Sequence, residues 1–500
     1  MPTPIRHLVI AGGGAAGWMT AAMLSKLFPH HLQITLVESE DIGIVGVGEA
    51  TIPPILLFNQ ALGIKEADFI QSTKGTFKLG IQFENWGQQG DKYMHAFGDI
   101  GKDLGLTSFH HFWLRAQHQG FTDSYWDYSP CYQAASRNKF APLHQLPGTP
   151  FKQLSYAYHF DASLYAATLR KLSEQQGVKR IEGKIASVTQ DQTSGDIQTL
   201  VMENGQVILG DLFIDCSGFR ALLAEQTLRT GYEDWSRWLP CNRALAVPSA
   251  NRSAAVPYTR AIAHQAGWQW RIPLQHRTGN GVVYCSDFMD DESAQQHLLS
   301  NLEGDALAEP RLIRFTTGRR KMQWHKNCIS LGLASGFLEP LESTSLHLIQ
   351  SGIIRLAKLF PATTDYASQR EQYNRQSVTE FEQIRDFIIL HYHQTQRNDS
   401  EFWRYCRTMS VPDSLTQKME LFRQSAVVQR EQDDLFSEVA WQQVMLGQNL
   451  IPQQYHPLAN QVSSEKLQQF MQDLKLIVTD ITDKLPSHKD TLDQLGVQTG

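Results

Sequence analysis

The chain has 500 residues, 42% of them hydrophobic, and 45 basic against 51 acidic side chains leave a formal charge of -6. That apolar content supplies a large core in two or three layers or lobes, and so mild a charge excludes electrostatic capture of nucleic acid or of an acidic membrane surface. Six cysteines (Cys131, Cys216, Cys241, Cys285, Cys328 and Cys406) are scattered without a C-x-x-C pair, which is neither a disulfide framework nor a zinc pattern.

The first 55 residues read as a βαβ unit: HLVIAG is a short buried strand, GWMTAAMLSKLF a helix and LQITLVE a second strand. The opening apolar run follows one arginine and is broken by glycines, so it is a strand, a turn and a helix rather than a signal peptide. Gly12-Gly13-Gly14-Ala15-Ala16-Gly17 fits G-x-G-x-x-G at the turn. Gly12 serves the tight turn, Gly14 the approach of a pyrophosphate and Gly17 close helix–strand packing, while the helix start at Ala15 and Ala16 offers oriented N–H groups. Glu38 ends the second strand where an acid takes a ribose hydroxyl pair, so a dinucleotide is expected.

IGIVGVGEATIPP follows as a second glycine-rich loop, carrying Gly48, Glu49, Ala50 and Thr51. TFKLGIQFENW alternates so as to point Lys78 and Gly80 to one face. Residues 85 to 150 read as loops and short helices over an opening, and YMHAFG within them sets His95 and Phe97 two apart. Strand-like runs return in VKRIEGKIASV, IQTLVMEN, QVILGDLFIDCSG, AIAHQAGWQWRIPL and GVVYCSDF. In GWQWRIPL, Trp268 and Trp270 share one face and form a flat apolar wall, and Ile272-Pro273 closes it as an edge strand would close. On the residues alone that wall either packs a core or separates two compartments. NCISLGLASGFLEPLEST is a strand, a small-residue stretch and a helix start, where Glu339 and Glu342 fit capping or dipole compensation. Three separated glycine turns around one fingerprint argue for a long cofactor, FAD rather than NAD. Beyond residue 360 the chain is glycine-poor and helical in period. No uninterrupted apolar segment reaches the roughly 20 residues of a membrane span, so a cytoplasmic protein is expected.

GGGAAG, VGVGEATIP, the lysine of GTFKLGIQFENW, GWQWRIP and GFLEPLESTS, in this order over nearly the whole chain, resemble the flavin-dependent tryptophan halogenase family. The resemblance implies an α/β fold: an FAD-binding, Rossmann-like body of the two-dinucleotide-binding (GR2) type with mixed sheets over 1–360, including the covering loops. A helical lobe over 361–500 would complete the substrate pocket within one compact unit. It implies FAD contacts at the glycine motif, Glu38, Gly48 to Thr51, Ile185, Leu333 and Leu346. Lys78 would face hypohalous acid, Glu342 would stabilise the cationic arene and take its proton, and Thr344 and Ser345 would bind the halide. Ser345 departs from the glycine of most tryptophan-specific members, which leaves chloride or bromide open. Trp268 and Trp270, with Ile272 and Pro273, would keep substrate from the flavin, so that only small hypohalous acid passes.

His95 and Phe97 would flank an indole ring, with Phe436 and Pro340 as further pocket walls. The stretch LFRQSAVVQREQDDLFSEVAW lacks the tyrosines that grip free tryptophan in the family. The expected reaction is therefore halogenation of indole or a substituted indole by FADH2, O2 and halide. The absence of a second nicotinamide site implies a separate, transient NAD(P)H flavin reductase. The alternatives are an aromatic monooxygenase, a halogenase of free tryptophan, and a flavin-binding protein without this activity.

Overall fold

The computed structural model describes residues 3–42 and 48–496 and divides into two compact units. The first comprises 1–75, 160–242 and 314–382; the second comprises 76–159, 243–313 and 383–500. The glycine-rich part of the second loop, residues 43–47, lies outside the described residues.

The first unit is built on a six-stranded sheet in the order Trp324–His325, Cys328–Ser330, Leu212–Asp215, His7–Ala11, Gln33–Glu38, Lys179–Glu182. All neighbours are parallel except the first pair. Parallel strands covered on both faces need continuous apolar runs, and LVIA and LFI supply them: Leu8, Ile10 and Ile214 are wholly buried, as are Ala11 and Phe213. Val9, Ala11, Val37 and Phe213 pack against Leu200, Met202 and Ile208 of a three-stranded antiparallel sheet over 185–209. Helix Ala15–Leu27 packs on Ala162–Gln175 and on Ser345–Lys358.

The second unit carries six strands of a seven-stranded sheet, in the order Arg243–Ser249, Thr278–Tyr284, Gly267–Pro273, Thr259–Ala263, Gly80–Glu84, Lys92–Ala96, with the short strand Arg311–Arg314 next to the first of them. The pairs among these six are antiparallel except that of Thr259–Ala263 with Gly80–Glu84. Helix Glu438–Gly447 grips the outer strand: the Gln443 side chain accepts from Ala96 N at 2.9 Å and donates to Ala96 O at 3.0 Å. Past residue 360 the described elements are helical.

The structure corrects several local expectations. The tryptophan strand is interior, hydrogen-bonded on both sides, and Pro273 sits at its last position, so no edge is involved. Lys78 and Gly80 do not continue one alternating strand. Thr76–Lys78 pairs with Ala157–Phe160, whereas Gly80 starts another strand that pairs with Lys92–Ala96, so closely that a Cβ on Gly80 would sit 2.6 Å from His95 O. The run YMHA is a strand rather than a loop. VKRIEGKIASV, QVILGDLFIDCSG and AIAHQAGWQWRIPL each break into two strands.

Candidate active site

The glycine turn of the first unit is shaped by contacts that exclude side chains. Gly12 has φ +115°, and a Cβ there would lie 2.2 Å from Cys216 O; Gly17 would drive one to 1.9 Å from Gly12 O. Over Gly14, by contrast, nothing described lies within 4 Å of a Cβ position. Gly14 is the N-cap of helix Ala15–Leu27, with no side-chain cap and no acid in its first turn. An open approach to uncompensated N–H groups fits a pyrophosphate. Glu38 leans over Gly13, its Oε1 accepting from Arg180 Nε at 2.6 Å. Asp215, buried and not singled out by any motif, accepts from Ser217 N and Oγ and from the N–H groups of Leu223 and Ala224, which fixes the turn Gly12 approaches.

Glu49 and Ala50 form a short strand, Gly48 precedes it at φ +141°, and Thr51 is buried after it. Burial, and next the charge of Asp161, push the Glu49 carboxyl up to about 7. Asp161 caps helix Ala162–Gln175 by accepting from Ser163 N and Leu164 N. Ile185 begins a strand, Leu333 lies in the 3-10 turn Gly332–Ala334 and Leu346 is buried on helix Ser345–Lys358.

Pro340, Leu341 and Glu342 make a 3-10 turn, and Ser343 (φ +59°) and Thr344 lead from it into helix Ser345–Lys358. Glu339 and Glu342 are both fully buried, which a solvated dipole-compensating carboxylate would not be. Thr344 is the N-cap, yet its side chain makes no cap bond, and its fully buried Oγ1 has no hydrogen-bond partner among the described residues. A buried hydroxyl beside unsatisfied helix N–H groups is a donor set for a small anion.

In the second unit the sheet register gathers much of the expected pocket on one face. Trp270 stands opposite Ala261 and Gly281, and Trp268 opposite Ala263 and Val283. Small neighbours make room for the indoles: a Cβ on Gly281 would sit 2.1 Å from Trp270 Cζ2. The two rings, 1% and 8% exposed, lie 6.1 Å apart at 59°, so the wall is apolar but folded rather than flat. Thr259 pairs with Ile81 and Ile81 with His95, which sets His95 on the face that carries Ile272, Trp270 and Trp268.

Lys78 is fully buried at the end of Thr76–Lys78, with its Nζ 5.4 Å from the centre of the Phe97 ring. His95 and Phe97 meet edge to face at 6.3 Å and 80°, rather than as parallel plates. His95 also lies 6.1 Å from Phe436, and Phe436 stacks at 3.7 Å and 16° on Phe387. Phe387, on helix Ala367–His393, belongs to this aromatic group, although with His391 one turn on the sequence there reads only as a core-facing helix. Lys78, Phe97, His95 and Phe436 are thus brought together in the second unit, while the glycine turn, Glu342, Thr344 and Ser345 belong to the first.

Comparison with known proteins places the chain in a family. The tryptophan halogenase family model matches residues 7–464. A flavin-dependent halogenase from Xanthomonas campestris superposes with a TM-score of 0.95 at 51% identity, over 98% of each chain. One from Brevundimonas sp. BAL3 gives 0.94 at 41%, over 98% of this chain and 99% of that one. The 7-chloro-L-tryptophan 6-halogenase of Kutzneria sp. (strain 744) is 37% identical over 83% of this chain and 84% of its own. The expected fold is the one observed, and the chain belongs to the tryptophan halogenase family as a flavin-dependent halogenase.

Proposed function

We propose that this enzyme halogenates indole or a substituted indole, with Lys78 and Glu342 as its catalytic residues. The observation that carries the reading is the fully buried Lys78 ammonium beside Phe97, in one aromatic group with His95 and Phe436. Reduced FAD, when bound, supplies with oxygen the two-electron oxidant that converts halide to hypohalous acid. Ala15, Ala16 and the glycine turn hold its pyrophosphate, Glu38 a ribose, and Gly48 to Thr51, Ile185, Leu333 and Leu346 line its length. Thr344 and Ser345 hold the halide through the hydroxyl and helix N–H groups.

Trp268 and Trp270 exclude the arene from the oxidant, and Lys78 donates a hydrogen bond to hypohalous acid. The carbon–halogen bond then forms as the halogen–oxygen bond breaks, and the oxygen leaves as water with the Lys78 proton. Glu342 stabilises the ring cation and accepts the ring proton. A separate flavin reductase in the cytoplasm delivers reduced flavin; six buried thiols are consistent with that compartment.

The aromatic group around Phe436 supports an arene without a zwitterionic tail, because Leu421 to Trp441 contains no tyrosine. A second reading, free tryptophan, is favoured by the names of relatives such as the tryptophan 6-halogenase of Streptomyces toxytricini, 36% identical. Enzyme given FAD, a flavin reductase, NADH, oxygen and bromide or chloride should halogenate indole faster than tryptophan, read by mass spectrometry. Preferential turnover of tryptophan would replace the first reading by the second.

A further inference from the structure

A buried relay of neutral hydrogen bonds runs beside the short strand that ends in Lys78. Thr76, two residues earlier and on the same side of the strand, donates its hydroxyl proton to Pro273 O at 2.7 Å. A hydroxyl has one proton, so the contact of Thr76 Oγ1 with His159 Nδ1 at 3.0 Å requires Nδ1–H as donor. A neutral imidazole then keeps a lone pair on Nε2, and the Thr259 hydroxyl at 2.9 Å donates to it. All three donors run one way, from Thr259 through His159 and Thr76 to the carbonyl that ends the tryptophan strand. His159 is fully buried, and burial first, then the charge of Lys78 and the nearby His488, hold it well below the usual imidazole range. On the other side of the strand, Phe77 N donates to His488 Nε2 at 3.2 Å while His488 Nδ1–H donates to Ala255 O at 2.7 Å.

We infer that His159, in its neutral Nδ1–H form, is a positioning residue that aligns Lys78 with the strand of Trp268 and Trp270 through Thr76. This rests on the role proposed for Lys78. The strand Thr76–Lys78 is only three residues long and pairs in register with Ala157–Phe160. Three residues fix an ammonium poorly, because few ladder bonds oppose a shift along or about the strand. The relay adds a cross-tie within two residues of Lys78. A protonated imidazole would keep the Nδ1–H bond to Thr76 and reverse only the one to Thr259, whereas loss of the imidazole would remove the cross-tie and let the ammonium stray from where hypohalous acid arrives.

The test measures where the oxidised halogen goes. Flavin-loaded wild type, Thr76→Val, Thr76→Ser, His159→Gln and Lys78→Ala receive bromide, indole, a flavin reductase and NADH, with monochlorodimedone as scavenger of escaped hypobromous acid. Thr76→Val and His159→Gln should shift the ratio of bromoindole to brominated scavenger about tenfold towards the scavenger, the effect of one misdirected buried hydrogen bond. Reduced-flavin oxidation should stay within about twofold of wild type, and Thr76→Ser, which keeps the hydroxyl, should restore the ratio. A merely structural residue would lower both rates together and leave the ratio unchanged. If Thr76→Val does not fold, Thr259→Val cuts the same relay at its far end and should move the ratio the same way. Unchanged ratios in these variants, with a shifted ratio in Lys78→Ala, would overturn the role of His159 alone. An unchanged ratio in Lys78→Ala would overturn the role of the lysine and this inference with it.

Discussion

Thr344→Val replaces one side chain by an isostere and removes a single hydroxyl. That hydroxyl is fully buried at a helix start and its Oγ1 lacks a partner among the described residues. A buried polar group left unsatisfied costs about 1–3 kcal/mol, so the halide-free variant should be more stable by about that amount. With an unfolding entropy of about 2.1 cal/mol/K per residue, 500 residues give about 1 kcal/mol/K, and Tm should rise by about 1–3 °C. Function should move the other way. A hydrogen bond to an ion is worth about 1.5–3 kcal/mol, so the halide KM should rise about ten- to a hundredfold. Thermal melts without halide and bromide titrations on one preparation give both numbers. A lower Tm together with an unchanged bromide KM would mean that the hydroxyl is satisfied by the fold and that the halide binds elsewhere.

Glu342→Gln should cut turnover by about a hundredfold or more while flavin binding persists, as expected for lost proton acceptance and charge stabilisation; a near-normal rate would make Glu342 a structural carboxylate. Glu49 keeps its proton up to about 7 in the fold, against 4.5 for a free carboxyl. The native state therefore binds more protons across that window, so flavin-free protein should lose stability as pH rises through it, by up to about 3 kcal/mol. Glu49→Gln should match wild type below the window and exceed it above; a difference independent of pH would show that Glu49 is not held protonated.

What the sequence made legible was local. The strand, glycine turn, helix, strand and terminal acid from His7 to Glu38 follow from short-range pattern and turn chemistry, and each lies within two residues of its expected place. Glu342 is chemically ambiguous, since a carboxylate near a helix start fits a cap as well as a site; its complete burial, which Glu339 shares, removes only the solvated, dipole-compensating role. The tryptophan strand looked like an edge because a proline ends it, but sheet position is set by which strands close on either side, and a proline at the last position costs no ladder bond. The stacking of Phe387 on Phe436 and the bond from His159 to Thr76 join residues far apart in the chain, and no periodicity records such pairings. Lys78 shows the same division. Its type and motif named it as a candidate, and its burial beside Phe97 came only from the fold.

The central claim is that halogen is oxidised in one place and handed to the arene by Lys78. The most direct measurement is single-turnover chemistry of Lys78→Ala loaded with reduced FAD, bromide and indole, with monochlorodimedone present. The account predicts flavin oxidation close to the wild-type rate, brominated scavenger, and no bromoindole above the level that free hypobromous acid gives. Bromoindole formed at the wild-type rate, with the scavenger untouched, would contradict it.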